Sequence, residues 1–195
     1  MIFEKLDEEV YLIKDAFSSS QFTTLYDELL PGVNSWDSRS EQNIHSRWFG
    51  LHKPKPTSIH EYPSFLSVAP AIKFYIKKII KPTFDIFLYR INTNIQYFAN
   101  EGDFHRDAPV LFDGSWGWGW TFLTFTQMEW NSSWGGEFIV KNKQGKYIHV
   151  PYIPSQSVLF NGELEHRGSS PNIYSTFART TIAWSFGNIE NKGAF

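Results

Sequence analysis

His105 and Asp107, in the stretch YFANEGDFHRDAP, set an imidazole and a carboxylate two residues apart. On extended backbone, side chains at that spacing leave the same face of the chain, about 6.6 Å apart along it. They can then converge on one ion through bonds of about 2.0–2.2 Å, while Arg106 between them points the other way. The pair alone is weak evidence: with six His and eight Asp in the chain, chance supplies one with a probability of roughly one in four. A third donor changes the odds. His166, in LFNGELEHRGSS, follows a short apolar run 61 residues after His105. Two imidazoles and a carboxylate leave three adjacent positions open on an octahedral ion, the donor set of non-haem Fe(II) oxygenases. The same set can hold catalytic zinc, but no general base stands one residue from a ligand on a helix, as a zinc hydrolase would place it. Thirteen residues beyond His166 comes ARTTIAWSF, where Arg179, Thr181, Ala183 and Ser185 fall on one face of a strand. A guanidinium fork with a hydroxyl two residues on is a carboxylate-binding pair.

Strands must present these groups, and the sequence supplies them. In LYRINTNIQYF, Tyr89, Ile91, Thr93, Ile95 and Tyr97 alternate with Arg90, Asn92, Asn94 and Gln96, the pattern of a half-buried strand. WTFLTFTQ, GEFIVK, KYIHV, SVLFN and FARTTIAWSF are further strands, bounded by Gly, Pro, Asn or Ser. Earlier in the chain the period is helical. SSSQFTTLYDELLPG carries Phe22, Leu25 and Leu29 on one stripe, with serines to cap it and Pro-Gly to stop it. SVAPAIKFYIKKIIKP does the same with Ile72, Tyr75, Ile76 and Ile79. Between the two helices, NIHSRWFGLHKPKPTSIHEYP reads as a long Pro-rich loop. Helices followed by many short strands predict a mainly β fold, a barrel or jelly roll braced by N-terminal helices. No repeat or linker divides the chain, so it reads as a single domain over 1–195, with a helical N-terminal part at about 1–82 and a β core at about 83–187.

Composition narrows the function classes. A chain of 195 residues with 18 basic and 20 acidic side chains and a net charge of -2 argues against a nucleic-acid partner. It has no cysteine, which removes disulfides, thiolate metal sites and cysteine nucleophiles. The start MIFEKLDEEVYL is acidic and lacks a signal-peptide pattern, and no apolar run approaches membrane-spanning length. The expected setting is therefore the cytoplasm, away from membranes. Eight Trp in an 18% aromatic chain call for an aromatic core or an aromatic-lined pocket.

From about Tyr89 to Phe186 the chain resembles the Fe(II)/2-oxoglutarate-dependent oxygenases of the double-stranded β-helix (jelly-roll) fold, and most of all their prolyl 4-hydroxylase-like branch. GDFHRD, then MEWNSSWGGEF, then PSQSVLFNGELEHRG, and last RTTIAWSF match the branch in order and spacing. QMEW stands where the branch usually carries a Tyr-Leu-Asn run, so a different pocket floor is expected. The resemblance implies that His105, Asp107 and His166 hold Fe(II). It implies that 2-oxoglutarate lies with its distal carboxylate on Arg179, supported by Thr181, and that Tyr97 stands beside this cosubstrate. It further implies a dioxygenase that uses O2 to convert 2-oxoglutarate to succinate and carbon dioxide while hydroxylating a C–H bond. The substrate would be an amino acid, a peptidyl residue (proline among the candidates) or another small molecule.

DGSWGWGW, directly after the His-Asp pair, has two readings: a glycine-hinged loop whose tryptophans stack on substrate, or a packed corner. For Trp120 the packed corner is preferred, since WTFLTF alternates onward from it. For Trp116 and Trp118 both readings stay open, and these two, with Arg106, are the candidate substrate contacts. The competing function from another class is a non-catalytic jelly-roll binding module with an aromatic, carbohydrate-type site. Such a module has no reason to set a carboxylate clamp behind a metal triad.

Overall fold

A computed structural model describes residues 2–29, 63–109, 111 and 114–188. The helix α1 (Ser19–Leu29) turns Phe22, Leu25 and Leu29 inward, the stripe that its spacing predicts. After it come a short α2 (Pro63–Ser67) and then α3 (Ala69–Ile80), which buries Ala69, Ile72 and Ile76. Proline in the first turn of α3 suits positions whose N–H groups lack an intrahelical partner. Lys77 and Lys78 sit in its last turn, where the helix dipole favours cations. Lys81 ends it in the left-handed conformation (φ 54°), its N–H closing back on the Lys77 carbonyl, and Pro82 cannot continue it. Except for Pro63, which opens α2, the Pro-rich segment expected as a loop lies outside the described residues.

Among the described residues, nine strands follow the sequence order β1 (Ile2–Asp7), β2 (Val10–Lys14), β3 (Phe87–Gln96), β4 (Gly119–Phe125), β5 (Phe138–Lys141), β6 (Tyr147–Val150), β7 (Ser157–Asn161), β8 (His166–Gly168) and β9 (Arg179–Gly187). They build a six-stranded sheet in the order β1-β2-β7-β4-β9-β3 and a three-stranded sheet in the order β6-β5-β8. All pairings are antiparallel. This is the two-sheet, mainly β architecture the sequence predicts. Residues 2–14 differ from expectation. Read with the helical N-terminal part, they instead form a hairpin whose second strand pairs with β7. Val10 and Ile13 are buried, but they stand three apart, which does not declare a strand's period of two.

Two apolar layers hold the sheets. One joins the helices to the outer face of the large sheet through Leu25, Ile72, Ile76, Phe122, Ile182 and Trp184. The Trp184 indole N–H also donates to the Phe65 carbonyl at 2.8 Å, pinning α2 to β9. The other layer lies between the sheets, where Leu123, Phe125, Phe138, Val140, Val158 and Phe160 meet. Strands β4 and β9 are buried along their whole length because both of their faces are covered. The large sheet thus turns one face to the helices and the other to the inside of the barrel.

Candidate metal centre

The inner face of the large sheet is polar at both ends. On β9 it carries Arg179, Thr181, Ala183 and Ser185, and the register sets Gln96, Asn94, Asn92 and Arg90 of β3 opposite them. The sequence pattern identifies these two sets of alternating residues but not the direction they face. The apolar set packs outward, Ile91 against the helix layer, so the polar set of β3 lines the barrel rather than the solvent. The register skips between Leu88 and Arg90, a β-bulge that brings Tyr89 and Arg90 to bear on one residue, Asp107.

His105 and His166 face each other across a narrow antiparallel bridge, each N–H donating to the other's carbonyl at 3.0 and 2.9 Å. His166 comes just after β7, as expected, and itself opens β8, because this bridge and pairing with β5 extend the ladder. Asp107 is set by its own N–H and that of Ala108, both donating to the Gly162 carbonyl at 2.8 and 2.9 Å. A Cβ on Gly162 would stand 2.9 Å from the Ala108 nitrogen, so this close backbone crossing requires glycine.

Both imidazoles are oriented in the same way. Nδ1 of His105 lies 2.9 Å from the Asp103 carbonyl, and Nδ1 of His166 lies 2.9 Å from the Leu164 carbonyl. A carbonyl can only accept, so each Nδ1 carries the proton and each Nε2 keeps its lone pair. Those Nε2 atoms turn to Asp107, 3.9 Å from Oδ1 for His105 and 3.5 Å from Oδ2 for His166. All three ligand atoms lie within 4.8 Å of one another. Two bonds of about 2.1 Å span at most about 4.2 Å, so closing on one ion takes a movement of tenths of an ångström. Burial and then the charge of His166 push the His105 imidazolium down to about 4, which keeps its Nε2 unprotonated at neutral pH. Burial would raise the Asp107 carboxyl, but Arg90 and His166 outweigh it and hold the group well below the usual carboxylate range. Thr121 donates to Asp107 Oδ2 at 3.0 Å, and Arg90 pairs with Oδ1.

At the other end of β9, Arg179 is 2% exposed. Its Nε donates to the Gly136 carbonyl and its Nη1 to Gln96 Oε1, both at 2.7 Å, and its guanidinium lies beside the Tyr152 ring. Burial pushes it down to about 10, so it stays cationic at neutral pH. No carboxylate among the described residues forms an ion pair with it. Two residues on, the buried Thr181 hydroxyl has no hydrogen-bond partner. A buried cation and an orphaned hydroxyl on the barrel's inner face fit a bound anion. Gln96, not Tyr97, reaches Arg179; Tyr97 sits in the turn after β3, 48% exposed.

The remaining candidates divide. Arg106 and Glu165, the residues flanking the two histidines, meet each other at 3.4 Å, and Glu165 also pairs with Lys141. Arg106 lies over the exposed Trp116 ring, 5.6 Å from its centroid. Trp118 packs edge-on against Phe84 and the helix layer, and Trp120 is buried in that layer. The sequence reading missed Arg90, Gln96, Thr121 and Ser185. For Arg90, Gln96 and Ser185 the signal was the polar alternation of β3 and β9; Thr121 lies on β4, which is buried along its whole length.

No protein-family profile and no curated protein matches the sequence. Solved structures do match in shape. A prolyl hydroxylase from Trichoplax adhaerens, in complex with a hypoxia inducible factor peptide fragment, superposes with a TM-score of 0.70 at 15% identity. That match covers 92% of this chain and 84% of the other. HygX from Streptomyces hygroscopicus, with nickel and 2-oxoglutarate bound, gives a TM-score of 0.65 at 11% identity over 93% of this chain and 83% of that one. The viral collagen prolyl hydroxylase of Paramecium Bursaria Chlorella virus-1, a 2-oxoglutarate complex, gives 0.63 at 13% identity over 92% and 97%. With two antiparallel sheets enclosing a His-Asp-His cluster, this chain has the double-stranded β-helix fold of the prolyl hydroxylases and other 2-oxoglutarate oxygenases.

Proposed function

We propose that this chain is an Fe(II)/2-oxoglutarate-dependent oxygenase. In this reading it converts 2-oxoglutarate to succinate while hydroxylating a C–H bond of an amino acid, a peptidyl residue (proline included) or another small molecule. The observation that carries the reading is the buried Arg179, with no carboxylate partner among the described residues, beside the orphaned Thr181 hydroxyl, in the same barrel as the His105-Asp107-His166 cluster. A bare metal-binding jelly roll needs no such cation, and burying one without a partner is costly. Bound iron would supply the oxygen chemistry. The residues supply the rest. His105, Asp107 and His166 would hold the ion with adjacent positions left open. Arg179 and Thr181 would bind the distal carboxylate of the cosubstrate and so fix which end reaches the metal. The apolar layer of Phe125, Phe138 and Tyr152 beside them limits the water that could reach the cosubstrate. The aromatic binding module is not favoured, since Trp118 and Trp120 pack into the helix layer instead of forming an open platform.

Anaerobic titration of the metal-free protein with Fe(II), then 2-oxoglutarate, tests this reading. The parent should bind both, 2-oxoglutarate more tightly once iron is present, and His105→Ala and His166→Ala should lose iron while keeping the folded barrel. Full iron-dependent succinate formation after loss of either histidine would sink the site assignment.

A further inference from the structure

Asp107 is held by more than its place in the chain. The bulge at Tyr89 and Arg90 breaks the alternation of β3 at the point where the strand passes this carboxylate. Tyr89 donates its hydroxyl to the Asp107 carbonyl at 2.6 Å, and burial keeps that phenol protonated. Arg90 pairs through Nη2 with Oδ1, and the same nitrogen lies 3.4 Å from both the Asp107 carbonyl and Ser185 Oγ. Thr121 donates to Oδ2 and shares a 3.1 Å contact with Ser185. Both carboxylate oxygens therefore have a hydrogen-bond donor on the barrel wall. The wall residues come from β3, β4 and β9, so three strands fix one side chain.

We infer that Arg90, turned to Asp107 on the inner face of β3, is a positioning residue that sets how this carboxylate meets the metal. The inference rests on the metal-site reading above. A carboxylate rotates freely unless both oxygens are engaged, and an unrestrained one can swing or chelate through both oxygens. With Arg90 on Oδ1 and Thr121 on Oδ2, the plane of the group is fixed, and each oxygen keeps a lone pair for one bond to an ion. Arginine suits the task because its planar fork keeps its orientation, which an ammonium does not. A loose carboxylate should weaken metal binding about ten- to a hundred-fold, the usual effect of losing a partner behind a ligand.

The test compares Arg90→Met and Arg90→Lys with the parent and Asp107→Ala, reading Fe(II) affinity anaerobically and the absorption spectrum of the Co(II)-loaded protein. Arg90→Met, which keeps the length and bulk of the chain, should lose about ten- to a hundred-fold in Fe(II) affinity and show an altered Co(II) band pattern. Arg90→Lys should recover part of the affinity. The melting temperature of the metal-free proteins separates positioning from folding: a merely structural role would lower it without changing the Co(II) spectrum of the folded fraction. If Arg90→Met does not fold, Arg90→Lys carries the comparison. Parental Fe(II) affinity and a parental Co(II) spectrum in the folded Arg90 variants would overturn the inference. Failure of the parent itself to bind Fe(II) would instead sink the metal-site reading.

Discussion

If Arg179 binds 2-oxoglutarate as proposed, replacing it by alanine would leave the distal carboxylate buried without its cation, a loss of roughly 2–5 kcal/mol. At 1.4 kcal/mol per factor of ten, its affinity should fall by about thirty-fold to several-thousand-fold. Iron affinity should hold, because Arg179 is not a ligand. Arg179→Lys should recover only part, and Thr181→Val should cost less, about 0.5–3 kcal/mol for one hydrogen bond. Anaerobic 2-oxoglutarate binding across the set checks the series; parental affinity in Arg179→Ala would remove the main reason for naming the cosubstrate. His105 carries a second consequence. Burial, then the His166 charge, lower it from 6.5 to about 4 in the folded chain, so the unfolded chain binds more protons between those values. Its contribution to stability is full above about pH 6.5 and is lost as pH falls toward 4. Asp107, held well below its usual range, acts with the same sign at lower pH. The His105 side chain is 42% exposed, so solvent screens part of the effect. The metal-free protein should melt progressively lower between pH 6.5 and 4.5, and His105→Asn should flatten that slope. Equal slopes would exclude His105 as the source.

Among the elements, β8 brings the two halves of the site together. It starts at His166, the metal candidate, and ends at Gly168, against which Arg179 packs. A Cβ on Gly168 would stand 2.7 Å from Arg179 Nη1 and 2.7 Å from Gln96 Oε1, the two atoms of the bond that holds the guanidinium. Gln96 also donates to the Gly168 carbonyl at 2.9 Å, so one amide links β3, β8 and β9. Gly168→Ala should therefore push the guanidinium out of place. The bond at risk involves a charged group, worth about 1.5–3 kcal/mol, so 2-oxoglutarate affinity should fall about ten- to a hundred-and-fifty-fold. The Fe(II) binding proposed at His166, two residues away, should remain near parental. Loss of iron with 2-oxoglutarate binding intact would contradict this division of β8.

At the scale of the whole molecule, the site is separated from the helices by the large sheet. Ile76 is fully buried in the helix layer, on the side of that sheet away from His105, Asp107 and His166. Ile76→Ala should cost about 2–5 kcal/mol through lost burial and the cavity it leaves, read from urea unfolding. The fraction that stays folded should bind Fe(II) as the parent does, because β4, β7 and β9 keep their pairing. A matching loss of iron affinity in the folded fraction would mean that the two layers are coupled through the sheet.

Side-chain type and spacing alone determined the His105-Asp107-His166 set, the Arg179-Thr181 pair, helices α1 and α3 and six of the nine strands. Each of these is a local pattern: a period of two, a helical stripe, or donors in a fixed order. Three strands were not legible. Strand β8 has three residues and is held by its ladder to β5. Strand β2 buries Val10 and Ile13 three apart and, with β1 paired to it, is fixed by its ladder to the distant β7. Tertiary structure alone decided which face of β3 looks into the barrel. Alternation is symmetric under exchange of the two faces, and only the helices packed on Ile91 and Trp184 turn the polar face inward. It also decided that Arg90 meets Asp107, because residues 17 apart become neighbours only when the segment after β3 folds back across the barrel. Gln96 reaches Arg179 for the same kind of reason: residues 83 apart become neighbours only through the pairing of β3 with β9.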